Sequence, residues 1–158
     1  MSVEVVRGYF RTLGIGDRIL EFDVSSATVE LAAVAVGVIP ARIAKTLSFL
    51  RKDNRCVLIV AAGDAKVDNQ KYKAFFGEKA RMLPHDAVPE YVGHAVGGVC
   101  PFAVKEGVTV YLDESLKRFQ TVFPAAGSSN SAIELTLEEL ERYSGSKAWI
   151  DVCKDWQE

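Results

Sequence analysis

The hydrophobic positions of the chain alternate between helical and strand-like spacing, with short polar stretches between them. The segments VEVVRGYFRTLG, VELAAVAVG and TLEELERYSG predict helices that end at glycines. The runs IAKTLSFLR and CVLIVAAG, joined by the polar turn KDNR, predict two strands of a central sheet. We therefore expect one α+β, or mixed α/β, domain over residues 1–158, with a curved sheet and several helices around it.

Shorter segments complete this pattern. Further strands are predicted at RILEFD, VTVYLD, QTVFPAAG, SAIELT and AWIDVC, and helices at NQKYKAFFG and EYVG. Thr28, or one of Ser25 and Ser26, can cap the apolar helix VELAAVAVG. Thr136 and Glu139 stand in capping-box spacing, which marks the start of the last long helix.

Composition narrows the classes of function. A chain of 158 residues with 49% hydrophobic and 25% charged residues can bury a sizeable core. Its formal net charge of -2 disfavours a general nucleic-acid coat or a membrane-surface binder, so any nucleic-acid contact must be local. The longest apolar run, LAAVAVGVIP, is too short to span a bilayer, and no charged-then-apolar leader precedes the first element. We expect a cytoplasmic protein without a membrane partner.

The cysteines and histidines offer few chemical motifs. Cys56, Cys100 and Cys153 are odd in number and lack CxxC spacing, which fits reduced thiols. His85 and His94 have no partners at metal-ligand spacing, so we expect no metal, and no cofactor fingerprint occurs. Two alternatives stay open: Cys100 as a nucleophile activated by loop amides, and His94 as a general base.

The candidate chemistry lies in two glycine-bearing turns and one lysine. In HAVGGVCPFAV, adjacent glycines let backbone N–H groups approach a ligand, and Pro101 fixes the following turn. The turn FPAAGSSNSA can supply further donors. Lys45 stands between apolar residues, either as a lysine snorkelling at a sheet edge or as a cation in a cleft. If both turns face Lys45, they form a small pocket for an anion or a carbonyl group.

The segments ARIAKTLSF, GHAVGGVCPFAV and FPAAGSSNSAIELTLEEL, in this order, resemble the YbaK/EbsC family. These are aminoacyl-tRNA deacylases related to the editing domain inserted in bacterial prolyl-tRNA synthetases. The resemblance implies catalytic residues at Lys45, Gly97, Gly98 and Pro101. It implies substrate-binding residues at Val99, Cys100, Phe102, Ala126, Gly127 and Ser128. His94 and Thr46 are auxiliary candidates.

The resemblance also implies a barrel-like mixed sheet, and hydrolysis of the ester between a non-cognate amino acid and the tRNA 3′ end. The expected substrate is tRNA(Pro) carrying a small amino acid such as alanine or cysteine, and the expected partners are the aminoacylated CCA end and prolyl-tRNA synthetase, with no DNA. Cys100 stands where many relatives have serine, and Ala103 where many have glycine, which leaves the amino-acid specificity open. The rival functions are a non-catalytic module that binds tRNA ends or a synthetase, and a Cys100-dependent hydrolase.

Overall fold

A computed structural model describes residues 2–156 of the chain. The α-helices are α1 (Ser2–Thr12), α2 (Val29–Val36), α3 (Asn69–Phe76), α4 (Val88–Val92) and α5 (Leu137–Ser144). The strands are β1 (Ile19–Glu21), β2 (Ile43–Leu50), β3 (Cys56–Ala62), β4 (Lys66–Val67), β5 (Thr109–Asp113), β6 (Thr121–Pro124), β7 (Ser131–Ile133), β8 (Leu135–Thr136), β9 (Ala148–Ile150) and β10 (Cys153–Lys154). No helix within residues 2–156 has the length and apolar character needed to cross a membrane.

Local sequence signals set the helix ends. Thr28 caps α2 by accepting a hydrogen bond from the Leu31 amide, which resolves the choice between Thr28 and the two serines. The predicted capping box is present at α5, where Thr136 and Glu139 satisfy each other's backbone N–H groups. Both helices end at a glycine in the left-handed conformation, Gly37 and Gly145.

Six strands form one curled mixed sheet in the order β8-β6-β2-β3-β5-β9. β2 and β3 are the predicted hairpin and pair antiparallel from Ala44 opposite Ala62 to Leu50 opposite Cys56. β3 pairs parallel with β5, and β5 with β9. Every residue of β3 is buried, as expected for a central strand covered on both faces.

The outer edge of β2, opposite β3, is paired at its two ends. β6 runs parallel to it at Ile43 and Ala44, and ends at Pro124. Farther along, the segment 81–83 pairs with the end of β2: Leu83 donates its N–H to the Ser48 carbonyl. Residues 45–47 lie between these two pairings and have no strand partner on that edge among the described residues.

Two predicted strands are each divided in the structure. SAIELT forms β7, which pairs with β1, and β8, which pairs with β6, so the chain changes partner at Glu134. AWIDVC forms β9, which pairs with β5, and β10, which pairs with β4. The prediction of one continuous strand was wrong in both places. Periodicity reports which residues are apolar, but it does not report which neighbouring strand they pair with.

A buried carboxylate accounts for the break between β9 and β10. Asp113 has no exposed surface, and its side chain accepts hydrogen bonds from the backbone N–H groups of Val152 and Ser115, each at 2.9 Å. The bond to Val152 holds the chain between β9 and β10 against the end of β5. The bond to Ser115 caps the 3-10 turn Glu114–Arg118.

We predict that Asp113→Ala lowers the free energy of unfolding by about 2–4 kcal/mol, because two backbone N–H groups lose their acceptor. Urea unfolding followed by circular dichroism measures this. Glu106→Ala, which removes an exposed carboxylate, is the control and should change stability by less than about 0.5 kcal/mol. Equal effects for the two variants would contradict the role assigned to Asp113.

Candidate functional site

A cavity of about 220 Å³ lies at the interrupted edge of β2. Its floor comes from β2, one wall from the segment that precedes and begins α2, and another from the glycine loop, which we define as residues 95–101. The remaining walls come from the segment 82–88 and from the residues around β7. The lining residues are Ser26, Ala27, Thr28, Val29, Ala32, Ile43, Ala44, Lys45, Thr46, Ser48, Met82, Leu83, His85, Val88, Val96, Gly97, Val99, Phe123, Ala125, Ser131 and Ala132.

Lys45 is half-buried, and its ammonium group is held by backbone oxygens. Nζ donates to the carbonyl of Ala65, and lies 3.4 Å from the carbonyl of Gly63. Burial lowers the pKa of Lys45, while the nearby Asp64, Glu30 and Cys153 act in the opposite direction. The side chain is therefore a fixed, partly desolvated cation rather than a lysine that extends freely into solvent.

The segment 63–65, whose carbonyls bind Lys45, is held in place by two contacts of its own. A Cβ on Gly63 would lie 2.1 Å from the Pro40 carbonyl oxygen, so only glycine fits there. Asp64 pairs with Arg118 at 2.6 and 3.0 Å, and this guanidinium holds the pKa of the Asp64 carboxyl below its usual range. The positions of the carbonyls that accept from Lys45 are thus set by the close packing of Gly63, directly after β3, against the 3-10 turn Pro40–Arg42.

The glycine loop begins with a tight turn. Gly98 donates its N–H to the Ala95 carbonyl at 3.0 Å, and Gly97 takes a φ of +92°. A Cβ on Gly98 would lie 2.6 Å from the Ser128 Cα, whereas a Cβ on Gly97 would make only ordinary contacts at 3.5 Å. The two glycines therefore serve different needs: Gly97 supplies the backbone angle, and Gly98 lets the loop touch the backbone of the second turn.

The second turn, residues 125–130, packs against the glycine loop through that contact. Gly127 takes a φ of +98°, and the Ser128 hydroxyl lies 2.6 Å from the hydroxyl of Ser131. The Ser129 carbonyl accepts a hydrogen bond from the Ser26 N–H at 2.6 Å. The two glycine-bearing turns therefore lie together, and they join the segment before α2 at the rim of the cavity.

The structure brings only part of the predicted residue set to the cavity surface. Lys45, Thr46, Gly97 and Val99 line the cavity. The other predicted residues are not among those that line it: Gly98, Cys100, Pro101, Phe102, Ala126, Gly127, Ser128 and His94.

Sequence reasoning missed several lining residues. Val29 and Ala32 follow from the helical prediction, but nothing in the sequence indicates that this face of α2 meets β2. Ser48 shares the face of Thr46 by strand alternation, which was a usable signal. His85 was considered only as a metal ligand, but it is an exposed residue that lines the cavity.

The geometry of Cys100 does not suit a nucleophile. Its side chain is fully buried, and burial raises the pKa of the thiol to about 12. Its sulfur lies 3.8 Å from the Phe102 carbonyl oxygen and 3.5 Å from Nε2 of His94. That nitrogen is only 2.8 Å from the same carbonyl oxygen, which can only accept, so Nε2 must carry a proton and cannot take one from the thiol.

Within residues 2–156, no group of three or more histidine, cysteine, aspartate or glutamate side chains is arranged to hold a metal ion.

The burial of His94 predicts a pH dependence of stability. Burial lowers its pKa below the usual 6.5, with partial opposition from the hydrogen bond to Phe102, and Cys100 is the titratable side chain in contact with the ring. The unfolded chain therefore binds a proton at higher pH than the folded one. We predict that the free energy of unfolding falls as the pH drops below about 6.5, and that His94→Gln removes this component.

Urea unfolding of both proteins between pH 7.5 and pH 5 measures the difference. The exposed histidine, examined as His85→Gln, is the matched control and should keep the wild-type pH dependence. Identical pH profiles for wild type and His94→Gln would contradict the prediction.

Comparison with known proteins gives the family. Residues 24–143 match the aminoacyl-tRNA editing domain. The uncharacterized protein YwhH of Bacillus subtilis (strain 168) is 57% identical over 157 residues, covering 99% of this chain and all of that protein. EbsC of Enterococcus faecalis, whose name proposes a Cys-tRNA(Pro)/Cys-tRNA(Cys) deacylase, is 29% identical over 112 residues, 70% of this chain and 68% of EbsC.

A solved structure extends the match to the fold. The crystal structure of a protein described as a proposed trans-editing enzyme for prolyl-tRNA synthetase superposes with a TM-score of 0.86 at 29% identity, over 97% of each chain. The family match covers the Lys45 strand, the glycine loop and the second turn, which are the segments that build the cavity. The chain therefore belongs to the aminoacyl-tRNA editing domain family.

Proposed function

We propose that the protein is a trans-editing aminoacyl-tRNA deacylase, which hydrolyses the ester of a small non-cognate amino acid on tRNA(Pro). The observation that carries this proposal is the cavity in which Lys45 and the glycine loop meet at the unpaired edge of β2. Family membership and the names of the relatives support the reaction class. A second hydrolytic site is needed wherever a synthetase rejects a smaller amino acid only modestly.

The size and lining of the cavity fit the proposed substrate. About 220 Å³ accommodates a small aminoacyl group but not the rest of the tRNA, so the body of the nucleic acid stays outside. The net charge of -2 agrees with recognition limited to the single-stranded CCA end through a few local contacts. Selective binding of one tRNA then calls for a partner such as prolyl-tRNA synthetase.

Backbone amides of the glycine loop stabilise the transition state in this proposal. As water attacks the ester, the carbonyl oxygen gains negative charge, and N–H groups fixed in advance stabilise that charge. The Gly98 N–H is occupied by the Ala95 carbonyl, so it does not serve. Gly97 and Val99 line the cavity, and their amides are the candidates for this role.

Lys45 supplies the positive charge of the site. Its carbonyl contacts hold the ammonium in place, and a third donor position remains for the terminal phosphate or the ester oxygen of the substrate. Because the cation is already partly desolvated, its interaction with an anionic group is stronger than it would be at the surface.

The proposal is tested with tRNA(Pro) mischarged with alanine, cysteine, serine or 2-aminobutyrate, and with correctly charged Pro-tRNA(Pro) as the reference. We expect release of at least one small amino acid well above the uncatalysed rate, and little release of proline. Hydrolysis of none of the mischarged substrates, with or without prolyl-tRNA synthetase, would favour the non-catalytic binding module.

We predict that Lys45→Met lowers kcat/KM for the best mischarged substrate by 30-fold or more, because loss of a desolvated charged contact costs about 2–5 kcal/mol. Methionine keeps the apolar length of the side chain, so the fold should be intact by circular dichroism. Lys73→Met removes an exposed ammonium on α3 and is the control. Wild-type kcat/KM in Lys45→Met would place the chemistry elsewhere.

We also predict that hydrolysis depends on the 2′-hydroxyl of the substrate. His94 cannot accept a proton at Nε2, and Lys45 is positioned as a donor, so neither provides a general base in the cavity. The hydroxyl adjacent to the ester can orient the attacking water. Single-turnover assays should show that tRNA ending in 2′-deoxyadenosine, aminoacylated at the 3′ position, is nearly inert. Normal turnover of this substrate would require a base from the protein.

A further inference from the structure

The side chain of His94 spans the base of the glycine loop. The ring is 1% exposed, and its Nε2 lies 2.8 Å from the carbonyl oxygen of Phe102, eight residues farther along the chain. Since the carbonyl oxygen can only accept, Nε2 is the protonated nitrogen of a neutral imidazole. Nδ1 then carries the lone pair, and it is buried with no hydrogen-bond partner among the described residues.

The far end of this hydrogen bond is itself anchored. Phe102 has no exposed surface, and its ring packs edge-on against Phe10 of α1, with ring centroids 4.9 Å apart. A second bond closes the loop nearby, where the Lys105 N–H donates to the Val92 carbonyl at 3.0 Å. The base of the loop is therefore tied to the core.

The middle of the loop is held from its other side by the second turn. Gly98 lies directly against the backbone of Gly127 and Ser128, where no Cβ can be accommodated. The loop is fixed at its base by His94 and at its middle by this contact. Between and beside these two points, Gly97 and Val99 face the cavity.

We propose that His94 is a positioning residue, whose Nε2–H donates to the Phe102 carbonyl and thereby holds the glycine loop with the Gly97 and Val99 amides directed at the cavity. This role rests on the proposed function, because those amides matter only if an ester carbonyl is bound there. The imidazole does not touch substrate: it acts through the loop backbone, and an apolar side chain of similar volume fills its space without forming the bond.

The tautomer is tested on the wild-type protein by NMR. The chain has only two histidines, and His85 is exposed, so their ring signals are readily distinguished. Long-range ¹H–¹⁵N correlation spectra at neutral pH should show His94 protonated at Nε2 alone, with a slowly exchanging ring proton. Protonation at Nδ1, or rapid exchange like that of His85, would overturn the proposal without bearing on the proposed function.

The functional part is tested with His94→Leu and His94→Gln. Glutamine can donate through its amide nitrogen to the Phe102 carbonyl, whereas leucine cannot. On the best mischarged substrate we expect His94→Leu to lower kcat ten-fold or more with KM changed less than two-fold, and His94→Gln to keep kcat within three-fold of wild type. A kcat defect without a KM defect is expected because loop amides act on the oxyanion of the transition state.

Amide hydrogen exchange of the same variants provides a measurement that is independent of activity. His94→Leu should raise exchange rates at residues 95–101 and leave β3 unchanged. Equal kcat in His94→Leu and wild type, or unchanged loop exchange, would overturn the proposal. Equal loss of kcat in the two variants would overturn it as well, because the imidazole itself would then be required. If wild type hydrolyses no mischarged tRNA, the proposed function fails, and the exchange result still decides whether His94 holds the loop.

Discussion

The interrupted pairing along the outer edge of β2 is the constraint on which the site depends. β6 pairs with the start of β2 and ends at Pro124, a residue that lacks a backbone N–H and does not favour continuation of a ladder. The chain then turns away through the second turn, and segment 81–83 pairs only with the far end of β2. The gap between them is where the sheet opens, and the cavity occupies it.

Close backbone packing places two of the elements beside the gap. Gly63 touches the Pro40 turn, and Gly98 touches the Gly127–Ser128 backbone, in both cases too closely for any Cβ. These contacts fix the turn whose carbonyls bind Lys45 and the glycine loop, whose Gly97 and Val99 line the cavity. This construction suits a reaction in which preorganised amides and a cation stabilise developing charge.

The buried polar groups around the cavity differ in what they contribute. Asp113 satisfies two backbone N–H groups and belongs to the scaffold. Burial lowers the pKa of Lys45, and its ammonium group is held by backbone carbonyls. Cys100 of the glycine loop and the adjacent His94 are buried together, and burial raises the pKa of the thiol and lowers the pKa of the imidazole. The same pair of residue types would suggest a catalytic dyad if burial and the Phe102 carbonyl were ignored.

The sequence by itself determined the local features and the family. Periodicity and caps located the helices and the β2–β3 hairpin, because those signals lie within a few residues of each other. The ordered motifs around Lys45, Gly97 and Gly127 carry the resemblance to the family.

Only the tertiary structure decided which of these residues reach the cavity and which support it. SAIELT and AWIDVC each read as one strand, and only the pairing partners showed that each is two. Gly98 must be glycine because the loop meets Ser128, which is distant in the chain. The contact of His94 with Phe102 depends on the path that the loop takes between them. A linear pattern of residue types predicts helices, caps and hairpins, because propensity and capping are local. It does not predict strand partners or contacts between distant segments, because long-range packing fixes where each backbone group points.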